Sequence, residues 1–302
     1  MAALELRHLR YLLAVAEHGN FTRAAEELHI SQPTLSQQIR QLERTLGVQL
    51  LDRTGRTVRP TDSGAVYLAH ARSALRDLAA GERAVHDVTD LSRGHLRLGV
   101  TPTFTAYLVG PLAAELRARH PGVTLSLTEA TQDRVEAALL DDVLDLGIAF
   151  TGDHHPGVTA TALFEETLTL VTGDRRPGAP TGPLPADALG DVELALLSGD
   201  FATRTHIDAY ITRYRAAPPI TVEANSVQAL TEIVQRTSLA TVLPDAVTHD
   251  HPHLTPVPLD PPLPTRTVAL LRRTDAYESA ASRAFTRLVH DLVRGRGYAA
   301  PA

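Results

Sequence analysis

The sequence predicts a chain of two structural classes, an α/β body preceded by an all-α segment that ends in a small β-hairpin. Three observations predict this. Apolar residues recur at helical spacing up to residue 47, and a short arginine-rich, β-prone stretch follows. From residue 94 onward, strand-like runs alternate with helical segments. The 302 residues suffice for two or three domains.

Composition narrows the class of protein. With 43% hydrophobic and 21% charged residues the chain is typical of globular proteins. No stretch approaches ~18 uninterrupted apolar residues, so no transmembrane helix and no membrane contact are expected. Charged residues throughout the first turns, such as Glu5 and Arg10, argue against a signal peptide. There is no cysteine, which removes disulfides, zinc–thiolate sites and cysteine nucleophiles, and a cytoplasmic location is expected.

The charge is unevenly distributed. The net charge of -6 alone would argue against a nucleic-acid partner. Residues 1–60, however, carry a net charge of +2 and the remainder -8, and every basic residue is an arginine. A mildly basic head on an acidic body favours a DNA-binding module attached to a different kind of domain.

Three helices are expected in the head. The first helix is predicted from an apolar stripe formed by Leu6, Leu9, Leu13 and Ala16. It is expected to end at His18-Gly19-Asn20. A second helix is expected from about Thr22 to Leu28, with Ala24, Ala25 and Leu28 buried. The third begins after a Ser31 cap, has Pro33 in its first turn and ends at Gly47.

The third helix has two contrasting faces. Its inner stripe is apolar: Leu35, Ile39, Leu42 and Leu46. Its outer face is rich in amides and arginines: Pro33, Gln37, Arg40, Gln41 and Arg44, with Thr34 and Ser36 at its flanks. Amide side chains pair with adenine edges and arginine pairs with guanine, so this face suits the DNA major groove. A solvated helix face beside a structural hairpin is the alternative.

A hairpin and a long helix follow. The stretch "LLDRTGRTVRPT" predicts two short strands around Thr54-Gly55, with three arginines on the hairpin: Arg53, Arg56 and Arg59. Thr61 then caps a helix of roughly Asp62 to Asp90, whose apolar residues fall on a coiled-coil-like spacing: Leu68, Ala71, Leu75, Leu78 and Val85. A helix of this length with such a seam predicts a dimer partner.

From residue 94 onward, the body of the chain alternates strand-like runs with helical segments. The strand-like runs are "HLRLGV", "VTLSLTE", "LDLGIAF", "LTLVT", "ELALLS", "ITVEA", "LATVL" and "TVALLRR". The helical segments are 104–120, 133–140, 201–215, 226–235 and 277–294. Such alternation predicts parallel sheets with helices on both faces, here as two units with crossings near 163–164 and near Arg266.

These features together predict that the head is a winged helix-turn-helix. The head also closely resembles the N-terminal domain of LysR-type transcriptional regulators, through the stretch "FTRAAEELHISQPTLSQQIRQLERTLGVQLLDRTGRTVRPTDSG". The resemblance implies contact with double-stranded DNA through residues of the second and third helices and the wing. These are Thr22, Arg23, Ser31, Gln32, Pro33, Thr34, Ser36, Gln37, Arg40, Arg53 and Arg56. Leu51 and Pro60 depart from the family pattern, where Phe and Leu are usual.

The resemblance continues through the body, where "DVTDLSRGHLRLGVTPTFTAYLVGPLAAEL" and "VEANSVQALTEIVQRTSLATVLPDAV" are most like the cyanate-responsive activator of that family. It implies a DNA-binding domain over 1–60, a dimerising linker helix over 61–92 and a periplasmic-binding-protein-like effector domain over 93–302. The effector domain would have two α/β subdomains, 93–163 with 267–297, and 164–266. The family also implies a dimer of dimers and contact with RNA polymerase.

A ligand crevice is expected where helices follow strands. Three junctions carry small polar residues, after "LRLGV", "ELALL" and "ITVE". Helix N-termini and hydroxyls favour a small anion, with Arg204 as the nearby cation. The candidate effector residues are Thr101, Pro102, Thr103, Phe150, Ser198, Phe201, Thr203, Asn225 and Ser226. Simple helix capping and, for the two phenylalanines, plain core packing are the alternatives.

The sequence disfavours a metal site and an enzymatic function. His249, His251 and His253 could bind a transition metal but lie in a proline-broken loop, so no metal and no cofactor are expected. No nucleophile–base motif is present, which disfavours a metabolic enzyme fused to a DNA-binding head. A constitutive DNA-binding protein, and a regulator that responds to another small anion or an aromatic acid instead of cyanate, remain alternatives.

Overall fold

The computed structural model describes residues 4–87, 94–174, 182–249 and 251–301. The chain divides into two compact units, Met1–His86 and Asp87–Ala302. The predicted fold class, an all-α winged head followed by an α/β body, is confirmed. None of the helices in the described ranges is long and apolar enough to cross a membrane.

The first unit contains three short helices, a two-stranded hairpin and one long helix. They are α1 (Leu6–His18), α2 (Phe21–Glu27), α3 (Gln32–Leu46), β1 (Leu51–Asp52), β2 (Arg59–Pro60) and α4 (Asp62–Asp87). The predicted end of the long helix, at Asp90, lies outside the described residues. Strands β1 and β2 pair antiparallel as the wing.

The core of the first unit is formed by the predicted inner stripes, with one exception. Leu35, Ile39 and Leu42 are fully buried. Leu46 was predicted to be buried but is 37% exposed, and Glu43 is buried instead. Gly64 lets α4 start directly against the strand region, because a Cβ there would lie 1.9 Å from the Leu50 carbonyl oxygen.

The second unit alternates helices and strands. Its strands are β3 (Gly94–Val100), β4 (Val123–Glu129), β5 (Leu146–Phe150), β6 (Val158–Glu166), β7 (Leu168–Gly173), β8 (Leu184–Pro185), β9 (Leu194–Leu197), β10 (Ile220–Ala224), β11 (Ala240–Pro244), β12 (Leu254–Val257), β13 (Leu259–Asp260) and β14 (Arg266–Arg273). Its helices are α5 (Pro102–Thr105), α6 (Val109–Arg119), α7 (Gln132–Leu140), α8 (Ala202–Arg213), α9 (Val227–Arg236), α10 (Asp245–His249) and α11 (Ala280–Gly295), with a 3-10 turn at Asp187–Asp191.

Two five-stranded sheets organise the second unit into two subdomains. The first subdomain has the strand order β4-β3-β5-β14-β6 and the second has β10-β9-β11-β7-β12. The chain passes from the first sheet to the second between β6 and β7, at Thr167, and returns before β14. Strands β8 and β13 form a separate small sheet.

The sheets are mixed, so the expectation of all-parallel sheets was wrong. Strands β3, β4 and β5 pair in parallel, as do β9, β10 and β11. Strand β14 is antiparallel to β5 and β6, and β7 is antiparallel to β11 and β12. The exceptions are the strands at the two crossings, which are reached without a helical crossover and are therefore free to run in the opposite direction.

One predicted helix is divided in two. The segment from Phe104 to His120 forms α5 and α6, with a break around Tyr107. Pro111 lies in the first turn of α6 and has no N–H to donate to the Tyr107 carbonyl oxygen, so a continuous helix would lose that bond. The Tyr107 carbonyl oxygen instead accepts a hydrogen bond from Arg296 Nη1 at 3.4 Å.

Candidate nucleic-acid interface and effector cleft

The N-terminus of α3 is fixed by the predicted cap. Ser31 Oγ accepts a hydrogen bond from the Thr34 backbone N–H at 3.2 Å and lies 2.7 Å from Thr34 Oγ1. Gly47 ends the helix in the left-handed region, at φ 71°. The cap and the glycine set the length of α3, and they hold Ser31 and Thr34 in the exposed first turn.

The outer face of α3 is open. Gln32, Pro33, Gln37 and Arg40 are exposed and Ser36 is half-buried. They line a surface groove of about 890 Å³, together with Glu43, Arg44 and Gly47–Gln49. We call this the α3 groove. Its exposed amides and guanidinium groups have the donor and acceptor types that read base edges.

The second helix and the wing add further exposed groups. Thr22 and Arg23 are exposed in the first turn of α2, where their backbone N–H groups bond to the Asn20 side chain. Arg56 is exposed on the wing. The turn of the wing is closed by Asp52, and hydrogen bonds from the Thr54 N–H and hydroxyl lower the pKa of its carboxyl group.

Arg53, also predicted to contact DNA, is held inward. Its Nη2 donates to Glu43 Oε2 at 2.6 Å, and its guanidinium carbon lies 5.3 Å from the centre of the Phe21 ring. The side chain is 27% exposed. Arg53 is therefore not a free wing cation, because its charge is already paired with a carboxylate of α3.

Glu43 is the residue of this unit that the sequence reading missed. Its Oε1 accepts hydrogen bonds from the backbone N–H groups of Leu50 and Leu51, at 3.0 and 3.2 Å. Through these bonds α3 holds the first strand of the wing. The signal was present in the sequence: Glu43 lies four residues after Ile39, on the buried side of the helix.

In the second unit a buried ion pair lies at the two chain crossings. Arg266, the first residue of β14, donates from Nε to Oε2 of Glu166, the last residue of β6, at 2.6 Å. Arg266 Nη1 donates to Thr203 Oγ1 at 2.8 Å, and the guanidinium lies 3.8 Å from the centre of the Phe150 ring. The ion pair thus links both crossing strands to α8 of the second subdomain and β5 of the first.

Tyr107 completes this network. Its hydroxyl donates to Glu166 Oε1 at 2.5 Å. Burial, together with the charge of Glu166, raises the pKa of Tyr107 well above its ordinary value. The phenol therefore stays protonated and keeps donating to the carboxylate.

Two clefts of the second unit are lined by predicted effector residues. The first, which we call the Arg266 cleft, has a volume of about 390 Å³ and is lined by Gln132, Asp133, Phe150, Thr151, Gly152, Asp153, Asp200, Ala202, Thr205, His206 and Arg266. The second, the Ser226 cleft, has a volume of about 260 Å³ and is lined by Pro102, Thr105, Ala106, Glu129, Ser226, Val227, Gln228, Thr231 and His251.

The predicted effector residues are divided between these places. Phe150 lines the Arg266 cleft, whereas Pro102 and Ser226 line the Ser226 cleft. The other residues line neither of these two clefts. Thr101, Thr103, Phe201 and Thr203 are buried, Ser198 is half-buried and bonds to Asp200, and Asn225 is exposed. The nine residues therefore do not converge on one cavity.

The predicted cation, Arg204, is already paired with two carboxylates. Arg204 is paired with Asp208 and Glu223, at 2.9 and 2.7 Å, and it donates to the Leu197 carbonyl oxygen. Arg266 is the arginine that lines the cleft. The sequence placed a chain crossing near Arg266 but gave no sign of its function, because its partner Glu166 is 100 positions away.

A second buried carboxylate shapes the wall of the Arg266 cleft. Glu136 bonds to His154 Nδ1, to the His155 backbone N–H and to Gln132 Nε2. Burial opposes ionisation of Glu136, but these hydrogen bonds outweigh burial and lower its pKa. Gln132 in turn bonds to the backbone N–H and carbonyl oxygen of Phe150. Glu136 thus positions two segments that line the cleft.

The histidine loop forms no cluster among the described residues. His253 Nδ1 lies 3.2 Å from Asp174 Oδ2. Within the part of the chain that the structure describes, no three histidine or acidic side chains come close enough to hold a metal ion.

Comparison with known protein families identifies both units. Residues 6–65 match the bacterial regulatory helix-turn-helix protein of the lysR family, and residues 89–294 match the LysR substrate binding domain. The chain belongs to the LysR family of transcriptional regulators. It therefore has a DNA-binding unit and an effector-binding unit, and it belongs to a family of regulators, not of enzymes.

Individual relatives cover most of the chain. It is 32% identical to the nitrogen assimilation regulatory protein nac of Escherichia coli, over 80% of this chain and 79% of that protein. It is 30% identical to the hydrogen peroxide-inducible genes activator of Haemophilus influenzae, over 92% and 95%. A full-length OxyR variant from Pseudomonas aeruginosa has a similar structure, with a TM-score of 0.70 at 26% identity, covering 97% of this chain and 96% of that one. These relatives give no support to a specific likeness to a cyanate-responsive activator.

Proposed function

We propose that this regulator reads its operator through the α3 groove and is switched by a small molecule that binds in the Arg266 cleft. The observation that carries the proposal is the pairing of an open, amide- and arginine-lined helix face in one unit with a polar cleft between two subdomains in the other. Gln37 and Arg40 would contact bases, and Ser31 and Thr34 would contact phosphates. Arg53 would act by holding the wing to α3.

The assembly we propose is a dimer of dimers. Two residues of the predicted α4 seam, Leu78 and Val85, are 45% and 73% exposed in the single chain, whereas Leu68 and Ala71 are buried in it. Burying Leu78 and Val85 against a second α4 would pair two heads on half-sites ~10 bp apart or a multiple of that spacing. Ligand-dependent bending of the operator would then alter access for RNA polymerase.

The proposed switch uses the two crossings. A ligand shifts an equilibrium only if it binds one arrangement of the subdomains better than the other. The Arg266 cleft is lined by residues of both subdomains, including Phe150 from the first and Thr205 from the second. A molecule that touches both walls would favour the closed arrangement.

The sequence and the relatives point to different inducers for this regulator. The sequence favoured a small anion such as cyanate, with another small anion or an aromatic acid as alternatives. The relatives named above are regulators of nitrogen assimilation and of peroxide-inducible genes, and they do not support cyanate. Peroxide sensing by thiol oxidation is excluded for these 302 residues, because they contain no cysteine. Cyanate is therefore only one of the candidate inducers.

The DNA half of the proposal is tested with Gln37→Ala. Fragments of the chromosome that the full chain retains are selected, and the affinity of each variant is measured on the best fragment and on single-base variants of it. Loss of one bidentate contact should weaken operator binding by about 1–3 kcal/mol and relax the preference at one base pair. Ligand affinity should be unchanged.

Glu26→Gln serves as a matched control, since Glu26 is exposed on α2 outside the α3 groove. A Gln37→Ala protein with the base preference of the wild type would refute the role of α3. A wild-type protein that retains no fragment above bulk DNA would refute the regulator itself.

A further inference from the structure

We propose that a hydrogen-bonded pair beside the DNA-reading face, His8 of α1 and Gln38 of α3, sets the operator specificity of this regulator by holding α3 in place. Neither residue lines the α3 groove, so both act as positioning residues. The inference rests on the proposed function, because it takes α3 to be the helix that reads the operator.

The first observation is the state of the His8 ring. His8 is 3% exposed. Its Nδ1 accepts a hydrogen bond from the Glu5 backbone N–H at 3.2 Å, and its Nε2 lies 3.0 Å from Gln38 Oε1. Because Nδ1 accepts, the ring proton is on Nε2, and this N–H donates to the Gln38 side chain. Both nitrogens of the buried ring are thus satisfied in one orientation, and the Gln38 amide is held in a defined place.

The second observation is that few directional contacts hold α3. The buried stripe of Leu35, Ile39 and Leu42 packs in the core of the first unit, and hydrophobic attraction has no preferred direction. Among the described residues, the side-chain hydrogen bonds between α3 and other elements come from two residues, Gln38 to α1 and Glu43 to the wing. The other side-chain bonds of α3 stay within the helix and its cap.

The third observation is the position of these two contacts on the helix. Gln38 and Glu43 differ by five positions in the sequence. This spacing places them about 140° apart around the helix axis and about 7.5 Å apart along it. Two anchors on different flanks resist both rotation and sliding of α3, whereas Glu43 alone would leave the helix freer to turn. Gln37 is next to Gln38 in the chain, so a turn of α3 would move its amide out of line with a base edge.

The consequence should be selective for base reading. Hydrogen bonds at a recognition site depend on geometry to within about 0.5 Å and about 10–20°, whereas the attraction between arginines and phosphates tolerates small displacements. Loss of the bond between His8 and Gln38 should therefore lower the affinity for the operator and leave the affinity for bulk DNA nearly unchanged. A pair with a role only in stability would change neither affinity in protein that remains folded.

The experiment compares two substitutions of the same histidine in the full chain. The side-chain oxygen of asparagine occupies the place of Nδ1, so His8→Asn still accepts from the Glu5 N–H but does not reach Gln38. The amide nitrogen of glutamine occupies the place of Nε2, so His8→Gln still donates to Gln38. We expect His8→Asn to lower the ratio of operator affinity to bulk-DNA affinity about tenfold, the size of one lost hydrogen bond. His8→Gln should keep the ratio of the wild type.

Gln38→Leu removes the acceptor and should lower the same ratio. The double variant with His8→Asn and Gln38→Leu should lose no more than either single variant, because both substitutions act through one bond. His70→Asn is the matched control, since it makes the same change at an exposed histidine of α4. Fluorescence anisotropy measures the affinities for the selected operator and for a scrambled fragment, below the unfolding temperature that circular dichroism gives for each variant.

The inference is overturned by an unchanged ratio in Gln38→Leu, by an equal fall of both affinities in His8→Asn, or by a loss in His8→Gln that His8→Asn does not share. If the His8 variants do not fold, Gln38→Leu decides, because Gln38 is half-buried and its replacement leaves the core intact.

Failure of this inference is distinguishable from failure of the proposed function. If Gln37→Ala relaxes the base preference while Gln38→Leu leaves the ratio unchanged, α3 still reads the operator and only the positioning pair is wrong. If Gln37→Ala leaves the base preference unchanged as well, the role of α3 itself is refuted.

Discussion

Each of the two units contains a glutamate–arginine ion pair beside a phenylalanine ring, and the two pairs differ in how deeply they are buried. In the first unit Glu43 pairs with Arg53 at 2.6 Å, beside the ring of Phe21. In the second unit Glu166 pairs with Arg266, against the ring of Phe150. The first pair is 9% and 27% exposed and joins residues 10 apart in the chain, whereas the second is 2% and 8% exposed and joins residues 100 apart.

The difference follows from what each unit does. The Glu43 pair is local and fixes the wing to α3, so that the groups that would touch DNA point outward from a rigid frame. The Glu166 pair is long-range and joins the two crossings of the effector-binding unit, where a change in the arrangement of the subdomains has to pass. The first pair thus holds a surface element in place, and the second pair holds together the strands that connect the two subdomains.

The largest effect is expected from Glu166→Gln. The substitution leaves the Arg266 charge buried without a counter-charge, which costs about 3–5 kcal/mol when one partner of a buried pair is removed. Thermal unfolding followed by circular dichroism, with hydrogen exchange to locate the change, should show the second unit destabilised and the first unit unaffected.

Glu165→Gln is the matched control, since Glu165 is the half-buried neighbour of Glu166 and its carboxylate accepts a hydrogen bond from the Thr267 hydroxyl and pairs with no arginine among the described residues. Combining Glu166→Gln with Arg266→Gln should recover part of the loss. Equal destabilisation by the Glu165 and Glu166 substitutions would show that the ion pair has no special role.

Glu43→Gln should have a smaller effect, about 1–3 kcal/mol, because the pair is partly exposed and the amide still accepts from the Leu50 and Leu51 N–H groups. The loss should be confined to the first unit, and operator affinity should fall because the wing is released. Arg56→Gln, by contrast, should weaken DNA binding without changing the stability of the unit, and the reverse pattern would contradict the assignment of Arg53 and Arg56.

The sequence predicted the first unit, which depends on local contacts, better than the second unit, which depends on long-range contacts. Helices α1 to α3, the Ser31 cap and the wing depend on neighbours within a few residues, and all appear where the pattern indicated. The position of Glu43 on the inner side of α3 was also readable. The sequence did not reveal that Arg53 is paired with it, because a wing arginine has the same local pattern whether it points inward or outward.

The effector-binding unit was predictable only in part, for a physical reason. Local alternation indicated most strands, but β6, β8, β12 and β13 were missed. In β6, threonines and alanines dilute the apolar pattern. The antiparallel direction of β14 and the burial of Arg266 depend on contacts with residues about a hundred positions away. The predicted hydroxyls at helix starts are present, yet Thr101, Thr103 and Thr203 are buried, and Ser226, which caps α9, lines a different cleft from Phe150.

A moderate effect is expected at the exposed seam of α4. Replacing Val85 by Ser should weaken the proposed dimer about tenfold or less, since it removes a small apolar contact. Sedimentation at several concentrations measures the change. Val143→Ser, at an exposed valine of the second unit, serves as control, and an unchanged dimer constant for Val85→Ser would exclude the seam.

The smallest effect is a pH dependence that arises from Glu136. Its pKa is lowered from 4.5 in the folded state, so the unfolded chain takes up the proton first as the pH falls. The stability that the ionised carboxylate contributes is present above about 4.5 and is lost as the pH drops through the lowered value. Urea unfolding should show a steeper acid loss for the wild type than for Glu136→Gln, and parallel curves would contradict this origin.

The central claim is that the ligand in the second unit controls how the first unit holds DNA. The most direct test is a nuclease footprint of the full chain on its selected operator, with and without a small molecule that thermal shift identifies as a ligand, for the wild type and for Thr205→Val, at an exposed residue that lines the Arg266 cleft. The wild-type footprint should change in length or bend with ligand, while the variant should bind the operator equally well and show no change at the same ligand concentration. A wild-type footprint that is identical with and without saturating ligand would contradict the claim.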